Sequence, residues 1–340
     1  MDVLYFVEEY ENTINTYEDI SGNRVISINN IGELIGMIDR IIIPKPNIPG
    51  PTIFHQFTKQ GFRADQLYLA GTGRESNLMK PYLECSYLPY LEFHVEDQCN
   101  LNCSACEHYA PLVKESRQPD FKKFSRDLKQ LKKYIDEITV IRILGGEPLM
   151  NAHIGDYVLL VKEEYPNSKL RIVTNGLLLG GLSEEILQLI RDNDVRIVIS
   201  LYPPMKEKIN EIVKKLEDKG IEIQVSPVIS TFYKRYVSKS TGKKDEEFER
   251  CYQRYCNNLY DGHIASCFLP FVQHYFNETF HMQLPSDGAI DLYDPSLTTA
   301  ELKLRLSKPL ERCNYCTAVK AAPWKQAEKE PSLQDWFIDA

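Results

Sequence analysis

The feature that most constrains this chain is a short segment with three cysteines, Cys99, Cys103 and Cys106, at the spacing C-x3-C-x2-C. The apolar stretch from Tyr90 to Val95 precedes it and predicts a β-strand that leads into a cysteine loop. Thiolates are soft ligands that suit iron–sulfur clusters, and three of them on a four-iron cluster would leave one iron open for chemistry. The alternative is a zinc site that takes its fourth ligand from His108.

A second group of cysteines lies toward the C-terminus. Its members are Cys251, Cys256, Cys267, Cys313 and Cys316. The segment from Leu259 to Ile264 carries an Asp-Gly pair and predicts a hairpin with a tight turn. A closed four-iron cluster needs four cysteines, so one of these five would be spare, and a structural zinc site on four of them is the alternative. The ninth cysteine, Cys85, is predicted to be simply buried.

Composition narrows the functions open to this chain. The sequence has 340 residues, nine cysteines and a net charge of −8. Cysteines this sparse do not build a disulfide scaffold, and their tight grouping favours metal binding in a reducing compartment. An acidic chain is not drawn to phosphates, which argues against nucleic acid as a partner. The apolar runs are short and the N-terminus lacks a basic start, so we expect a cytoplasmic protein without a membrane span.

Between residues 90 and 225, strand patterns alternate with amphipathic helix patterns. The predicted strands are 90–95, 138–144, 170–174, 195–200 and 221–225, and the predicted helices are 121–135, 154–164, 183–192 and 205–219. Repeated strand–helix units predict a parallel sheet that curls toward a barrel. The polar segment 239–249 is predicted to be flexible.

The first 82 residues predict a separate α/β module. Strand patterns at 3–7 and 66–70 flank a helix pattern at 51–60. The module resembles the second half of a Rossmann-type domain through residues 22–27 and 38–43. No glycine-rich turn joins a strand to a helix here, so we expect docking or dimer contact rather than dinucleotide binding.

The cysteine triple and the ends of the next strands together resemble the radical S-adenosylmethionine (radical SAM) enzymes. Gly145-Gly146-Glu147-Pro148 ends the second strand, Thr174-Asn175-Gly176 follows the third, and Ser200 ends the fourth. The resemblance covers roughly residues 88–230 and implies a partial (β/α) barrel with a 4Fe-4S cluster on the three cysteines. It also implies that S-adenosylmethionine binds the open iron and is cleaved reductively. The 5′-deoxyadenosyl radical formed in this way would abstract hydrogen from a substrate.

The same resemblance gives expected contacts with S-adenosylmethionine. The expected cofactor-binding residues are Gly145, Gly146, Glu147, Pro148, Thr174, Asn175 and Ser200. The two glycines would let the backbone approach the methionyl group, and Glu147 would pair with its ammonium. The family usually has an aromatic residue just before the third cysteine, where this chain has Ala105. The adenine contact is therefore expected from the backbone or from another residue, for which Tyr109 is a candidate.

The C-terminal cysteines resemble those of the twitch domain, a shortened SPASM module that holds one auxiliary 4Fe-4S cluster. The resemblance favours as ligands Cys251, Cys267, Cys313 and Cys316. It leaves Cys256 spare, although Cys251 and Cys256 could exchange roles. Whichever of the two is free could act catalytically, as a hydrogen donor to a substrate radical.

The expected fold is therefore α/β in three parts. Residues 1–82 form the partial Rossmann-like module, 83–235 the radical SAM core and 236–340 the twitch-like domain. We expect a dehydrogenase or an epimerase of a carbohydrate or related small molecule, with oxidation favoured, and a reduced flavodoxin or ferredoxin as electron donor. The alternatives are a maturase of a ribosomally made peptide and a non-catalytic iron–sulfur or zinc protein.

Overall fold

The structure is a computed structural model that describes residues 17–18, 24–25, 41–43, 66–70, 79–328 and 330–339. The strands in these residues are β1 (Tyr17–Glu18), β2 (Arg24–Val25), β3 (Ile41–Ile43), β4 (Leu67–Ala70), β5 (Met79–Pro81), β6 (Tyr87–Glu96), β7 (Glu137–Gly145), β8 (Lys169–Thr174), β9 (Arg196–Ile199), β10 (Ile223–Val225), β11 (Thr231–Lys234), β12 (Asn258–Tyr260), β13 (His263–Ala265), β14 (Ile290–Asp291) and β15 (Lys320–Pro323). The helices are α1 (Phe121–Lys132), α2 (Ile154–Glu164), α3 (Glu184–Asp192), α4 (Ile209–Glu217), α5 (Lys244–Glu249), α6 (Leu269–Phe280) and α7 (Thr299–Leu306).

The main sheet has eight strands in the order β10-β9-β8-β7-β6-β12-β13-β14. The pairs β7–β8, β8–β9 and β9–β10 are parallel, and a helix connects each strand to the next. The alternation predicted from the sequence is confirmed, as an open partial barrel. Because parallel strands joined by helices end at the same edge of a sheet, the segments that follow β6, β7, β8 and β9 are brought together.

The helices form where an apolar face and an N-terminal cap coincide. Helix α1 buries Phe124, Leu128 and Leu131, which recur at helical spacing on one face. Its cap is Asp120, whose carboxylate accepts a hydrogen bond from the Lys123 backbone N–H at 2.6 Å. Ser183 caps α3 in the same way, its hydroxyl accepting from the Ile186 N–H at 3.4 Å.

The C-terminal region adds its own strands to the same sheet. Strands β12 and β13 form the predicted hairpin, in which Asp261 (φ 50°) and Gly262 (φ 78°) make the tight turn. Strand β12 also pairs in parallel with β6 through Asn258 and Glu92. This pairing places the segment that carries Cys256 and Cys267 beside the strand that leads into the cysteine loop.

The prediction that 239–249 is flexible was wrong, because the segment contains helix α5. Phe248 is buried there, and so is Glu247, which accepts a hydrogen bond from the buried guanidinium of Arg235 at 2.7 Å. The ion pair with Arg235 allows the charged Glu247 of this helix to be buried beside Phe248. The local composition, which is polar and charged, gave no sign of it.

The chain divides into two compact units. The first contains 1–89, 134–136 and 295–308, and the second contains 90–133, 137–294 and 309–340. In the first unit β3 and β4 pair in parallel and β4 and β5 pair antiparallel. The predicted elements at 3–7 and 51–60 lie outside the described residues. No helix in the described part of the chain is both long enough and apolar enough to cross a membrane.

Candidate active site

A cavity of about 580 Å³ lies in the second unit, where the strands of the sheet end. Three of its walls come from segments singled out in the sequence. These lining residues are Cys99, Cys103, Cys106, Gly145, Gly146, Thr174, Asn175 and Ser200. The structure therefore brings together the cysteine triple and the ends of three successive strands, as the parallel topology requires.

The cysteine loop has an unusual backbone. Asn102, Ala105 and Tyr109 are all in the left-handed region, with φ of 53°, 62° and 58°. Non-glycine residues enter this region at a cost in free energy, and such residues are found in tight turns and at functional sites. The left-handed turn at Ala105 comes directly before Cys106 and lets the loop present its cysteines to one cavity.

The three thiols of this loop are poor thiolates on their own. Burial raises the pKa of Cys103 to about 12, with the nearby Cys106 adding to the rise. Burial likewise raises the pKa of Cys106 to about 11, followed by the effect of Cys99. A thiol must lose its proton to bind a metal, so a bound metal would have to supply the stabilisation that these thiolates lack.

Gly145 and Gly146 are required by the packing of the chain itself. A Cβ added to Gly145 would lie 2.0 Å from the Glu96 carbonyl oxygen, and one added to Gly146 would lie 2.2 Å from that of Gln98. The Gly146 N–H donates to the Glu96 carbonyl at 2.7 Å. These glycines thus let the end of β7 lie directly against the start of the cysteine loop. Their approach to a methionyl group stays a prediction.

Glu147 is fully buried and does not line the cavity. Its Oε1 accepts from the Thr174 hydroxyl at 2.7 Å, and its Oε2 accepts from the Asn175 backbone N–H at 2.9 Å. Burial raises the pKa of the Glu147 carboxyl, and these hydrogen bonds act against that rise. The carboxylate therefore ties the end of β7 to the end of β8. Pro148, which follows it, begins a short 3-10 turn.

Two side-chain N–H groups donate to sulfur atoms of the cysteine triple. Trp324 Nε1 lies 3.1 Å from Cys103 Sγ, and Asn175 Nδ2 lies 3.5 Å from Cys99 Sγ. Hydrogen bonds to sulfur are one of the means by which a protein tunes an iron–sulfur cluster. Thiols on a shared cavity wall, with N–H donors aimed at their sulfurs, are a donor set that fits such a cluster.

The C-terminal segment around Trp324 holds the cysteine loop in place. The Ser104 N–H donates to the Lys325 carbonyl at 2.9 Å, and the Ala327 N–H donates to the Asn102 carbonyl at 2.7 Å. Trp336 Nε1 donates to the Cys106 carbonyl at 2.8 Å. We call residues 324–336 the C-terminal strap. The sequence analysis did not connect this strap with the cysteine loop, because more than 200 residues separate them.

The wall of the cavity that does not come from the cysteine loop or the strand ends was not predicted from the sequence, and we call it the far wall. Its members include Tyr202, Phe232, Lys234 and Tyr252. Lys234 is buried, and its Nζ donates to the Ala105 carbonyl at 3.1 Å and to the Asp335 carbonyl at 2.7 Å. Burial lowers the pKa of Lys234 to about 8. The signal that could have found this wall is the Phe232-Tyr233-Lys234 run after the last barrel strand, which has strand character.

His108 and Tyr109 follow the cysteine triple and have different surroundings. His108 lines the cavity, with its ring 4.1 Å from that of Phe268. Burial lowers the pKa of His108 to about 3, so its imidazole is neutral. Tyr109 is not among the cavity residues and packs against Phe276 and Trp336.

The C-terminal cysteines gather in a second place in the same unit. Burial raises the pKa of Cys267 strongly. The neighbouring thiols of Cys251, Cys316 and Cys313 raise it further, whereas one backbone hydrogen bond lowers it. The pKa of Cys256 is raised by burial and then by Glu92, with Cys251 a smaller influence. Neither Cys251 nor Cys256 lines the large cavity. As the side chains stand, no three His, Cys, Asp or Glu residues in the described part of the chain have metal-site geometry.

Comparison with known proteins supports the family resemblance of the segment that contains the first cysteine group. Residues 95–216 match the model of the radical SAM superfamily. Among curated proteins, a GTP 3',8-cyclase of Aliarcobacter butzleri is 30% identical over 128 residues, which cover 37% of this chain and 38% of that protein. A GTP 3',8-cyclase of Heliobacterium modesticaldum is 35% identical over 99 residues, which cover 28% of this chain and 30% of that protein. The chain thus spans less than half the length of these relatives.

Among solved structures, BtrN in complex with AdoMet and 2-DOIA is 17% identical, with a TM-score of 0.42, covering 67% of this chain and 92% of that chain. The family match includes Cys99, Cys103, Cys106 and the segments that end β7, β8 and β9. These are the segments that form three walls of the cavity. Residues 95–216 are therefore a radical SAM domain.

Proposed function

We propose that this chain is a radical SAM enzyme that holds a 4Fe-4S cluster on Cys99, Cys103 and Cys106 and acts on a neutral, polyhydroxylated small molecule. The observation that carries the proposal is the single cavity lined by the cysteine triple and by the strand ends. When bound, the cluster would supply one electron for the cleavage of S-adenosylmethionine to methionine and a 5′-deoxyadenosyl radical. A reduced flavodoxin or ferredoxin would be the source of that electron.

The chain's own residues would bind and orient the cofactor. Gly145 and Gly146 lie on one wall of the cavity, and Asn175 and Ser200 lie on the neighbouring wall. Glu147 has both carboxylate oxygens engaged, so we propose that it acts on the cofactor by fixing Thr174 and Asn175. Tyr202 replaces Tyr109 as the candidate for stacking on adenine, because its ring lines the cavity.

The charge of the cavity favours a neutral substrate. Among the described residues that line it, Lys234 is the one cation, and both of its hydrogen bonds go to backbone carbonyls. A nucleoside triphosphate is usually held by several arginines or lysines. The relatives' substrate, GTP, is therefore the second candidate rather than the first. Aromatic residues such as Phe232 and Tyr252 suit the apolar faces of a sugar ring.

We further propose that the reaction is an oxidation. In the described part of the chain, the cysteines that line the cavity are those of the first group alone. Neither Cys251 nor Cys256 therefore faces the substrate space, as a hydrogen donor for epimerisation would need to do. After one hydrogen atom has gone to the 5′-deoxyadenosyl radical, an auxiliary cluster on the second group would accept one electron from the substrate radical. The substrate would release one proton to solvent, so that the product would leave two hydrogens lighter.

The test is anaerobic reconstitution of the whole chain with iron and sulfide, followed by reduction and addition of S-adenosylmethionine. We expect formation of 5′-deoxyadenosine, and its complete loss when Cys99, Cys103 and Cys106 are all changed to Ala. A triple variant that still forms 5′-deoxyadenosine would refute the assignment, and a wild-type protein that forms none would favour a non-catalytic metal protein.

Substrates are then compared in deuterium oxide. We expect a neutral sugar or cyclitol to increase 5′-deoxyadenosine formation and to give a product lighter by two hydrogens. Turnover of GTP would instead favour a nucleotide cyclase, and turnover of a peptide would favour a maturase. Solvent deuterium at an inverted carbon would show epimerisation.

A further inference from the structure

Two buried guanidinium groups lie beside the second cysteine group. The side chains of Arg235 and Arg312 line one small cavity of about 20 Å³ together with Cys316. Both residues are less than 10% exposed. Arginine remains charged inside a protein, so each needs an anion or a full set of hydrogen-bond acceptors.

Arg312 has no carboxylate among its hydrogen-bond partners in the described part of the chain. Its Nε donates to Gln273 Oε1 at 2.7 Å, and its Nη2 lies 3.5 Å from the Tyr109 hydroxyl. Its Nη1 donates to Cys316 Sγ at 3.4 Å. A buried guanidinium therefore points one of its N–H groups at the sulfur of Cys316, and a metal-bound sulfur there would carry the negative charge that its other partners lack.

Arg235 is only partly satisfied. Its Nη1 donates to Glu247 Oε2 at 2.7 Å and to the Thr317 carbonyl at 2.8 Å. Its Nε and Nη2 are buried and have no hydrogen-bond partner among the described residues. Buried donors without partners are rare in native proteins and call for an explanation, such as a bound group. A hydrogen-bond acceptor beside Arg235 would remove the free-energy cost of burying these unpaired N–H groups.

We propose that Arg235 and Arg312 are positioning residues for the auxiliary cluster, donating N–H groups to its sulfurs and offsetting its negative charge. This inference rests on the proposed function, in which Cys251, Cys267, Cys313 and Cys316 hold that cluster. Reduction adds one electron and makes a cluster more negative, so adjacent cations favour the reduced state and raise the reduction potential. The two arginines would thus make the auxiliary cluster a better electron acceptor.

The inference is tested in a chain with Cys99, Cys103 and Cys106 changed to Ala, so that only the auxiliary cluster contributes. Its midpoint potential is measured by redox titration with electron paramagnetic resonance. We expect Arg312→Gln to lower the potential by a tenfold change in the reduction equilibrium constant, which is about 59 mV for one electron. Arg312→Lys keeps a cation and should recover most of that shift.

Two further variants complete the test. Arg235→Gln should also lower the potential, and it carries the test if Arg312→Gln fails to assemble a cluster. Arg117→Gln is the matched control, because the guanidinium of Arg117 pairs with the Asp97 carboxylate at 2.9 Å rather than with a cysteine. The potential of this variant should not change.

The failures of the two proposals are distinguishable. If the triple variant binds iron but both arginine-to-glutamine variants keep its potential, the role of the arginines is refuted and the auxiliary cluster stands. If the triple variant binds no iron, or binds zinc instead, the auxiliary cluster is refuted and this inference falls with it.

Discussion

The two cysteine groups of this chain differ in the side chains that donate hydrogen bonds to their sulfur atoms. In the first group the sulfurs accept hydrogen bonds from neutral donors, the Trp324 indole and the Asn175 amide. In the second group Cys316 accepts from a buried guanidinium, that of Arg312. Since cations near a cluster raise its potential and neutral donors do so less, the comparison suggests a division of work. Under the proposed function, the cluster of the first site would be the strong reductant and that of the second site the electron acceptor.

The largest expected effect tests whether the second group holds a cluster at all, and on which cysteines. In the chain without Cys99, Cys103 and Cys106, we expect Cys251→Ala to lose the remaining iron, about four atoms per chain. The matched variant Cys256→Ala should keep it, because Cys267 has Cys251 rather than Cys256 among its main electrostatic neighbours. Iron and sulfide analysis measures both. The reverse pattern would exchange the two assignments.

The two groups also differ in how far each site could be predicted from the sequence. The first group is a single loop that follows a strand, so its spacing, taken with the strand ends that resemble the radical SAM enzymes, indicated the cluster. The parallel topology predicted that residues such as Asn175 and Ser200 would join it. The second group comes from three segments. Its members could be counted in the sequence, and Arg312 directly precedes Cys313 there. The burial of Arg312 and the approach of Arg235 could not be predicted, because both depend on tertiary packing.

Two features of the first site were beyond local prediction for the same reason. The far wall of the cavity includes β11, which the sequence analysis did not assign, and β11 is held there by antiparallel pairing with β15. The strap residue Trp324 reaches Cys103 across 221 positions of the chain. Sequence patterns report periodicity over a few turns or strands, and they do not report contacts at this separation.

The first site also depends on close backbone packing, which gives the second prediction. We expect Gly146→Ala to destabilise the fold by more than about 3 kcal/mol, because the new Cβ would lie 2.2 Å from a backbone oxygen that cannot move freely. Gly181→Ala is the control, since a Cβ there meets nothing within 4 Å. Chemical denaturation measures the free energy of unfolding. Equal stability of the two variants would mean that the ends of β6 and β7 do not approach so closely.

The smallest expected effect concerns the neutral donor at the first cluster. Trp324→Phe removes the N–H group that lies 3.1 Å from Cys103 Sγ and keeps an aromatic ring beside Tyr202. A neutral hydrogen bond contributes about 1 kcal/mol, so the reduction equilibrium constant of the first cluster should fall by no more than about fivefold. The potential is measured in a chain with Cys313 and Cys316 changed to Ala.

Trp336→Phe is the control for this change, because its N–H group donates to the Cys106 carbonyl rather than to a sulfur. It removes the same group from the same strap and should leave the potential nearly unchanged, although it will lower the stability of a buried aromatic cluster. Equal shifts in the two tryptophan variants would mean that the strap acts by holding the loop alone. A shift in Trp324→Phe as large as that in Arg312→Gln would remove the contrast between neutral and charged donors on which the division of work rests.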